Sequence, residues 1–472
     1  MNLTTLPDAV VAGDTPISHG QVPSMGMWDR LKTGMRIASL RLREALTKDT
    51  GPLRALAGSL GLVVVWGYQL LGRSMKSLRL LCSLHRADLS NVVNRHAEQV
   101  IRQALDGHEE QVAALLEQHY RHPVRTASTA NFLDMPHLLL GIPTIVLKSP
   151  QGTEKGLLLA HYNHIFPLLA GRYDLKRIAT RFHIILEPSW RGYCEPDLLC
   201  YGRLGFPVFI QTIEPRDAAF LNSIGGPFIQ VPTGGNWWVD HRVFHPRPEV
   251  EKRFDVVMLA AWGKYKRHHR FFHALGRLRR SGHRLDVLLV GGNATWKRDE
   301  ILRQARYYGI ADQIELQEHL PYERVNDFVN QAKVHVLWSR NEGFPRATIE
   351  CMFAGLPSII REGFNYGHRY NYINDQTGAF ATESSLPRVL LEMIERAPSM
   401  SPRAWAMQHM SCQHATRVMS DTIKAWCADH DEPWTESPVV KVTRLNELRY
   451  WDERDKARFA ADYEFLRSAA TK

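Results

Sequence analysis

The sequence predicts an α/β protein with two parallel sheets, and three observations support that class. From about residue 138 onward, short apolar runs alternate with segments of helical periodicity. Apolar strands of this kind are typical of parallel sheets that helices cover on both faces. The alternation breaks once, at the hydrophilic stretch HPRPEVEKR, and then resumes. We therefore expect two α/β units with a boundary near residue 250.

The elements of both units can be placed in order. The first unit has predicted strands within LLLGIPTIVLK, KGLLLAH, RFHIILEP, FPVFIQTI and PFIQVP. The second has predicted strands within FDVVMLAAW, LDVLLVGG, IELQEHL, VHVLWS and PSIIRE, and helices near 268–280, 298–308, 322–332 and 346–354. Upstream, residues 90–120 carry apolar residues at helical spacing and predict one or two helices.

Composition indicates the class of protein and the cellular compartment. The chain of 472 residues is 44% hydrophobic and 23% charged, which is typical of a globular protein with two or three domains. Its six cysteines form neither a Cys-x-x-Cys pair nor an evenly spaced framework. This pattern argues against a structural zinc site and against a disulfide scaffold, and it favours a reducing cytoplasm.

Positive charge is concentrated near the amino terminus. Residues 1–25 are rich in Pro, Gly, Thr and Asp and predict a disordered lead-in, and residues 26–125 predict a basic helical extension. Residues 28–86 contain eleven basic and three acidic residues. An anionic membrane surface is the partner that we expect for this segment, since no motif interleaves aromatic and basic residues as in nucleic-acid binding.

An uncharged apolar run, Ala55–Gly72, lies inside the basic segment and is just long enough to be a membrane span. It starts too late for a signal peptide, and both flanks are about equally basic. Its glycines and the polar Ser59 and Gln69 weaken the interpretation as a span. Three interpretations stay open: a segment lying on the cytoplasmic membrane face, a true span, or a buried helix.

Ligands of open parallel sheets bind at the carboxyl ends of the strands, and three polar stretches fall there. They are WGKYKRHHR, GGNATW and SRNEGFPRATIECMFAGLP. In the third, Pro345 suits the first turn of a helix whose amides could bind phosphate oxygens. Glu342 precedes this helix, and Glu350 interrupts an apolar run, where a carboxylate needs partners. A ribose diol would supply them; the alternative is that Glu350 pairs with an arginine and Glu342 is solvated.

The sequence lacks the other common catalytic motifs. It contains no His-Glu-x-x-His, no Gly-x-Ser-x-Gly and no Gly-x-x-x-x-Gly-Lys phosphate loop. The one Asp-x-Asp, Asp429 to Asp431, lies in a hydrophilic loop after a helix rather than at a strand end. We therefore expect no metal site and no cofactor.

The third stretch resembles the E-x7-E motif of the retaining family 4 glycosyltransferases, which have the GT-B fold. Glu342 to Glu350 match the motif, Ala354 to Pro357 match the family's small-Gly-x-Pro, and INDQTGAF is similar to its Thr-Gly turn. VPTGGNWWVDHRVFHP is similar to the family's interdomain linker. The resemblance is specific from about 228 to 380 and covers nothing before 125.

The resemblance implies two Rossmann-like domains facing across a cleft: an acceptor domain at 126–250 and a nucleotide-sugar domain at 251–425, followed by a helical tail at 426–472. It implies retaining hexosyl transfer from a nucleotide-diphosphate sugar to a glycan or lipid-linked acceptor. Glu342 would contact donor sugar hydroxyls, Glu350 the ribose, and Lys266 and Arg267 the diphosphate. The further predicted donor-binding residues are Gly343, Phe344, Arg346, Lys264, Gly291 and Gly292.

The acceptor side is less defined by sequence. The family's Gly-rich loop after the first strand is replaced by AHYNHIF, and EPSWRGY follows another strand end. We predict acceptor-side roles for His161, Asn163, His164, Glu187 and Trp190. Two other classes of function stay open: a catalytically silent GT-B module that binds glycans or protein partners, and a basic scaffold for nucleic acid or membrane, although we expect no nucleic-acid partner.

Overall fold

The fold was derived from a computed structural model, which describes residues 25–45, 51–189, 192–292, 294–340, 342–363, 369–444 and 447–471. It contains two parallel α/β units and an amino-terminal helical extension, and so confirms the predicted fold class. The predicted lead-in, residues 1–25, lies outside the described residues apart from Met25.

Five helices form the extension. They are α1 (Met27–Glu44), α2 (Gly51–Leu70), α3 (Ser74–Ala87), α4 (Asn91–Leu105) and α5 (Glu110–Arg121). Helix α4 starts where the Ser90 side chain accepts a hydrogen bond from the Val93 amide, a standard amino-terminal cap. Its buried residues recur every three or four positions, so one face packs inward. Apolar side chains of α2 to α5 share one core with the first sheet.

The first sheet has five strands in sequential order: β1 (Thr144–Lys148), β2 (Gly156–His161), β3 (Phe182–Glu187), β4 (Val208–Gln211) and β5 (Phe228–Val231). β1 is antiparallel to β2, and β2 to β5 are parallel. The helices α6 (Ala130–Asp134), α7 (Phe166–Arg172), α8 (Leu175–Ala179), α9 (Pro196–Leu199) and α10 (Pro215–Ile224) accompany it. This sheet therefore has four parallel strands in sequential order with one antiparallel strand at its edge, and no reversal of strand order occurs among its described strands.

The second sheet has six parallel strands: β6 (Phe254–Leu259), β7 (Val287–Gly291), β8 (Ile314–Glu318), β9 (Ala332–Leu337), β10 (Ser358–Arg361) and β11 (Gly378–Ala381). Their order is β11-β10-β9-β6-β7-β8, which is the doubly wound Rossmann order. The helices are α11 (His268–Arg280), α12 (Arg298–Tyr307), α13 (Tyr322–Val329), α14 (Arg346–Phe353), α15 (Leu386–Arg396) and α16 (Pro402–His409). The four helices predicted here are all present.

The carboxy-terminal segment returns to the first unit. It contains α17 (Cys412–Asp429), the hairpin β12 (Lys441–Arg444) and β13 (Glu447–Tyr450), α18 (Asp455–Arg458) and α19 (Ala460–Ser468). Apolar side chains from Cys412 onward belong to the core of the first sheet. The backbone of the segment also bonds to strand β1, since the Val439 amide donates to the Leu147 carbonyl at 2.8 Å. The second unit thus ends near residue 411, and the segment after 425 includes a hairpin besides its helices.

Helix α1 docks on the second unit through polar contacts. It lies beside α12, where the Arg41 guanidinium donates to the Tyr308 hydroxyl at 3.2 Å. At its end, Glu44 lies 3.1 Å from Arg267 and 2.9 Å from Arg270. Burial raises the pKa of Glu44, but His269 and the two arginines more than offset this and lower it to about 2. Glu44 is therefore charged at any physiological pH.

We expect Glu44→Gln to loosen α1 from the second unit. The neutral side chain no longer attracts Arg267 and Arg270, and breaking a partly buried charge network costs more than breaking a surface pair. Amide hydrogen exchange across residues 27–44 should accelerate about tenfold or more. The matched control is Arg36→Gln, because Arg36 lies on the same helix as Glu44 and pairs with Glu300 of α12, but its side chain is 64% exposed. Equal exchange rates in both variants would contradict the anchoring role of Glu44.

Candidate active site

The candidate site lies where the strand order of the second sheet reverses. β6 and β9 are neighbours there, although β7 and β8 separate them in sequence. Lys266 follows β6 and Glu342 follows β9, and their side chains form an ion pair. Both side chains are largely buried, at 11% and 13% exposure. Two of the predicted catalytic residues thus meet at the crevice that binds ligands in sheets of this topology.

Lys266 carries the positive charge of this crevice. Burial lowers its pKa, but the charge of Glu342 more than offsets this and raises it above the usual value. Two buried histidines near it are neutral, because burial and then the Lys266 charge lower the pKa of His268 and of His335 to about 3. Lys266 is therefore charged, and Glu342 is its partner in this structure.

Several buried polar atoms at this edge of the sheet have no hydrogen-bond partner among the described residues. Two follow β9, namely the indole nitrogen of Trp338 and the hydroxyl of Ser339. Three others follow β6, namely the indole nitrogen of Trp262 and the two imidazole nitrogens of His268. Buried polar groups normally have partners, so such a concentration points to a polar ligand.

Arg267 is the second residue predicted to bind the diphosphate, but in this structure it pairs with a carboxylate of the protein. Its guanidinium is buried and lies 3.1 Å from Glu44 of α1. Its backbone is left-handed at φ 56°, an unusual conformation for a non-glycine residue that is frequent at functional sites. The diphosphate role of Arg267 stays a prediction, and a diphosphate bound there would compete with Glu44.

The start of α14 brings the second unit against the first. The Phe344 ring lies against Gly234 and Gly235, where an added Cβ would be 3.0 and 3.1 Å from the ring. Pro345 is the N-cap residue directly before α14, one position earlier than the first helical turn in which it was predicted. The amide of Arg346 donates to the Phe344 carbonyl at 2.8 Å, so that amide already has a protein partner.

Glu350 and Arg346 lie on the same helix and pair with each other. The Arg346 guanidinium is 3.5 Å from Glu350 and also donates to the Tyr322 hydroxyl and to the Thr443 carbonyl, at 3.3 and 2.6 Å. Burial raises the pKa of Glu350, and Arg346 only partly opposes this. A partner that donates hydrogen bonds would therefore stabilise the Glu350 carboxylate. The pairing of Glu350 with an arginine, which was the alternative to ribose binding, is thus present in the structure. Contact between Glu350 and a ribose stays a prediction.

The remaining donor-side residues differ in exposure. Lys264 is exposed, and Gly343 is half-buried. Gly291 ends β7 so close to β6 that an added Cβ would lie 2.2 Å from the Ala260 carbonyl oxygen. Gly292 lies against the His319 ring. Both glycines therefore allow close packing at the strand ends, whatever they contribute to a ligand.

On the first unit, His161 and Glu187 come together at the ends of β2 and β3. Glu187 is fully buried and lies 2.8 Å from the His161 ring and 2.7 Å from Lys441 of β12. Burial raises the pKa of Glu187, but Lys441 and His161 more than offset this and lower it to about 2. Burial lowers the pKa of His161 despite its carboxylate neighbour, so we take Lys441 as the counter-ion.

The other residues predicted on the acceptor side differ from one another in burial and in contacts. Asn163 is buried and bridges the Glu195 carboxylate and the Ser189 amide, at 3.0 and 2.9 Å. His164 is half-buried and stacks on Tyr162 with 5.6 Å between ring centroids. Trp190 lies outside the described residues. Their contact with an acceptor stays a prediction.

Three residues that sequence reasoning missed belong to this region. Lys441 comes from the hairpin and neutralises Glu187. Tyr162 has a left-handed backbone at φ 73° directly after β2. Tyr370 donates to the Glu214 carboxylate and so joins the second unit to the first. Only Tyr162 had a signal in the sequence, its place after a predicted strand; the contacts of the other two join distant parts of the chain.

One group of metal-binding side chains occurs in the described part of the chain: His183, Cys427 and Glu432. Lys155 lies 3.1 Å from Glu432 and already neutralises that carboxylate. We therefore assign no metal to this group.

The Glu187–Lys441 pair predicts a pH-dependent stability. The folded pKa of Glu187 is about 2, below its ordinary value, so its stabilising contribution is complete above about pH 4.5 and is lost as pH falls toward 2. We expect Glu187→Gln to destabilise the protein at pH 7 by about 3–5 kcal/mol, because Lys441 is left unpaired and buried. In thermal melts, the difference between native protein and variant should shrink toward pH 3. An unchanged difference at both pH values would contradict this prediction; Glu392→Gln, at an exposed pair with Arg388, is the control.

Comparison with known proteins finds a family model that matches the second unit. Residues 241–406 match the family model described as Glycosyl transferases group 1. No curated protein sequence matches the chain at a significant level.

Three solved structures with a similar fold share 12–15% sequence identity with this chain. Sucrose-phosphate synthase (tll1590) from Thermosynechococcus elongatus has 15% identity and a TM-score of 0.45, over 58% of this chain and 74% of that chain. TarM has 12% identity and a TM-score of 0.45, over 58% and 54%. Anabaena Alr3699/HepE in complex with UDP and glucose has 14% identity and a TM-score of 0.44, over 57% and 78%. The segment 241–406, which holds Lys266, Glu342 and Glu350, is thus the part of the chain that is similar to group 1 glycosyl transferases.

Proposed function

We propose that the crevice between β6 and β9 binds a nucleotide-diphosphate sugar and that the protein transfers the sugar to an acceptor. The observation that carries this proposal is the Lys266–Glu342 ion pair at the strand-order reversal. It lies inside the segment that matches group 1 glycosyl transferases. The cluster of buried polar atoms beside the pair supports the same ligand class.

The chemistry follows from where charge develops. Breaking the anomeric C–O bond leaves positive charge on the sugar and negative charge on the departing diphosphate. Lys266 would stabilise the diphosphate, and a diphosphate that attracts Lys266 frees Glu342 to accept hydrogen bonds from sugar hydroxyls. We propose retention of the anomeric configuration, as in the family that the E-x7-E motif resembles.

Glu350 would hold the ribose of the donor. Its carboxylate is buried, and Arg346 offsets only part of the cost of burial. Two ribose hydroxyls would donate the missing hydrogen bonds. Glu342 and Glu350 would then contact the two sugar rings on either side of the diphosphate.

The acceptor would be a glycan or a lipid-linked sugar that reaches the crevice from the first unit. Strands β2 and β3 end at His161 and Glu187, and Gly235 brings that unit against Phe344. Glu187 would act there by orienting its neighbours, because its carboxylate is fully buried and engaged with Lys441.

One observation favours a second function, a silent module that binds glycans or partners without turnover. Lys266 is neutralised by Glu342, and Arg267 by Glu44, so the two predicted diphosphate residues both have carboxylate partners. If the protein is such a silent module, we expect every activity measured with Glu342→Gln to equal that of the native protein.

Calorimetric titration of UDP, GDP and ADP into the full chain tests the donor site. We expect one nucleotide to bind in the micromolar range and Lys266→Met to weaken it about tenfold to a hundredfold, because a charged diphosphate contact is lost. Glu350→Ala should weaken the same nucleotide, while Lys424→Met, an exposed lysine of α17, should have no effect. Absence of binding by all three nucleotides to folded protein would refute the donor site.

Turnover separates the two functions. With the donor of the nucleotide that binds, we expect slow hydrolysis or transfer that Glu342→Gln reduces about a hundredfold or more, while nucleotide affinity stays within about threefold of native. Nucleotide binding without any turnover, unchanged in Glu342→Gln, would favour the silent module.

A further inference from the structure

Helix α2 has an apolar face that no described part of the chain covers. The face consists of Leu53, Leu56, Leu60, Val63, Val64 and Leu70, which recur along one side of the helix. Leu56, Leu60 and Val63 are 57%, 60% and 59% exposed. An apolar surface of this continuity is unusual on a protein surrounded by water and marks an interaction site.

The opposite side of α2 is packed against protein. Gly58 lies against Val93 of α4, and Gly61 lies so close to Leu84 of α3 that an added Cβ would be 2.6 Å away. The Ser77 hydroxyl donates to the Val65 carbonyl at 3.0 Å. Helix α2 is thus held on one side by the extension and presents its other side outward.

Charge around the face is positive. Gly51–Leu70 contains no acidic residue, and exposed Arg73, Lys76 and Arg79 follow it. A symmetric dimer through this face would bring the same positive charges together, which disfavours a second copy as the partner. An anionic lipid surface offers both the apolar phase and the complementary charge.

Helix α1 repeats the pattern independently. Met27, Trp28, Leu31, Met35 and Leu42 are all more than half exposed. They recur on one side of the helix, and Arg30, Lys32 and Arg43 lie on its other positions, as do Arg36 and Arg41, which contact the second unit. An exposed apolar stripe flanked by basic residues is typical of helices that lie in a membrane interface.

We propose that α1 and α2 attach the protein to an anionic membrane surface, with the apolar face of α2 inserted between the headgroups. α2 is long and apolar enough to cross a membrane, yet only 17% of its apolar window is buried in the protein. Crossing is disfavoured by its neighbours, because α3 and α4 would carry the partly buried His85–Glu98 pair and the polar surface of α4 into hydrocarbon. The helix therefore lies in the plane of the membrane. An acceptor held in that membrane would share the surface with the enzyme.

Flotation of the full chain with vesicles tests the proposal. We expect binding to phosphatidylcholine vesicles that contain phosphatidylglycerol, and binding at least about tenfold weaker to phosphatidylcholine alone or at high salt. Alkaline carbonate should release the bound protein. Protein that resists carbonate would overturn the in-plane arrangement, and protein that binds neither vesicle would overturn the proposal.

Variants locate the surface. Leu56→Glu, Leu60→Glu and Val63→Glu combined should reduce vesicle binding at least about tenfold, because three charges would enter the headgroup boundary. The matched control adds the same charge to exposed positions of α17, with Gln413→Glu, Ala425→Glu and Ala428→Glu, and should bind nearly as well as native protein. Equal loss in both variants would overturn the assignment to α2.

Two further readouts keep the test decisive. Circular dichroism and nucleotide binding should be native in the α2 variant, since the replaced side chains are exposed. Sedimentation should show native protein in the same oligomeric state as the variant. A native dimer that the α2 variant dissolves would overturn the proposal in favour of a second copy as the occupant of this face.

Discussion

The order of strands in the second sheet is the constraint on which the site depends. Because β6 and β9 are adjacent while two strands separate them in sequence, the loops that follow them face each other at one edge. Lys266 and Glu342 approach each other for this reason alone. The loop that contains Glu342 continues into α14, and Phe344 of that loop contacts the first unit. The strand order of the second sheet thus brings together the Lys266–Glu342 ion pair, the start of α14 and the contact between the two units.

Much of this fold could be predicted because its signals are local. The helix 268–280 was predicted from apolar spacing and occurs at those bounds. Lys266 and Glu342 could be placed together because strand ends in parallel sheets share one edge. The first sheet was predicted strand by strand, but its sequential order could not be, since apolar runs say which segments are strands and not which are neighbours.

The rest of the site depends on contacts between distant parts of the chain. Lys441 lies in a four-residue strand, KVTR, that has neither an apolar run nor a catalytic motif. Glu44 reaches Arg267 from the extension, which no motif connects to the second unit. In both cases the carboxylate and its cation are ordinary residues in their own sequence context. Only the folded chain shows that each neutralises the other.

The return of the carboxy-terminal segment has a consequence for biosynthesis. The core of the first sheet contains side chains from Cys412 to Ala469, and the Glu187 carboxylate meets its cation only when Lys441 has been added. On the ribosome, the second unit emerges complete while the first still lacks part of its core and the lysine that pairs with Glu187. The amino-terminal unit can therefore reach its complete core only after the last part of the chain has been synthesised.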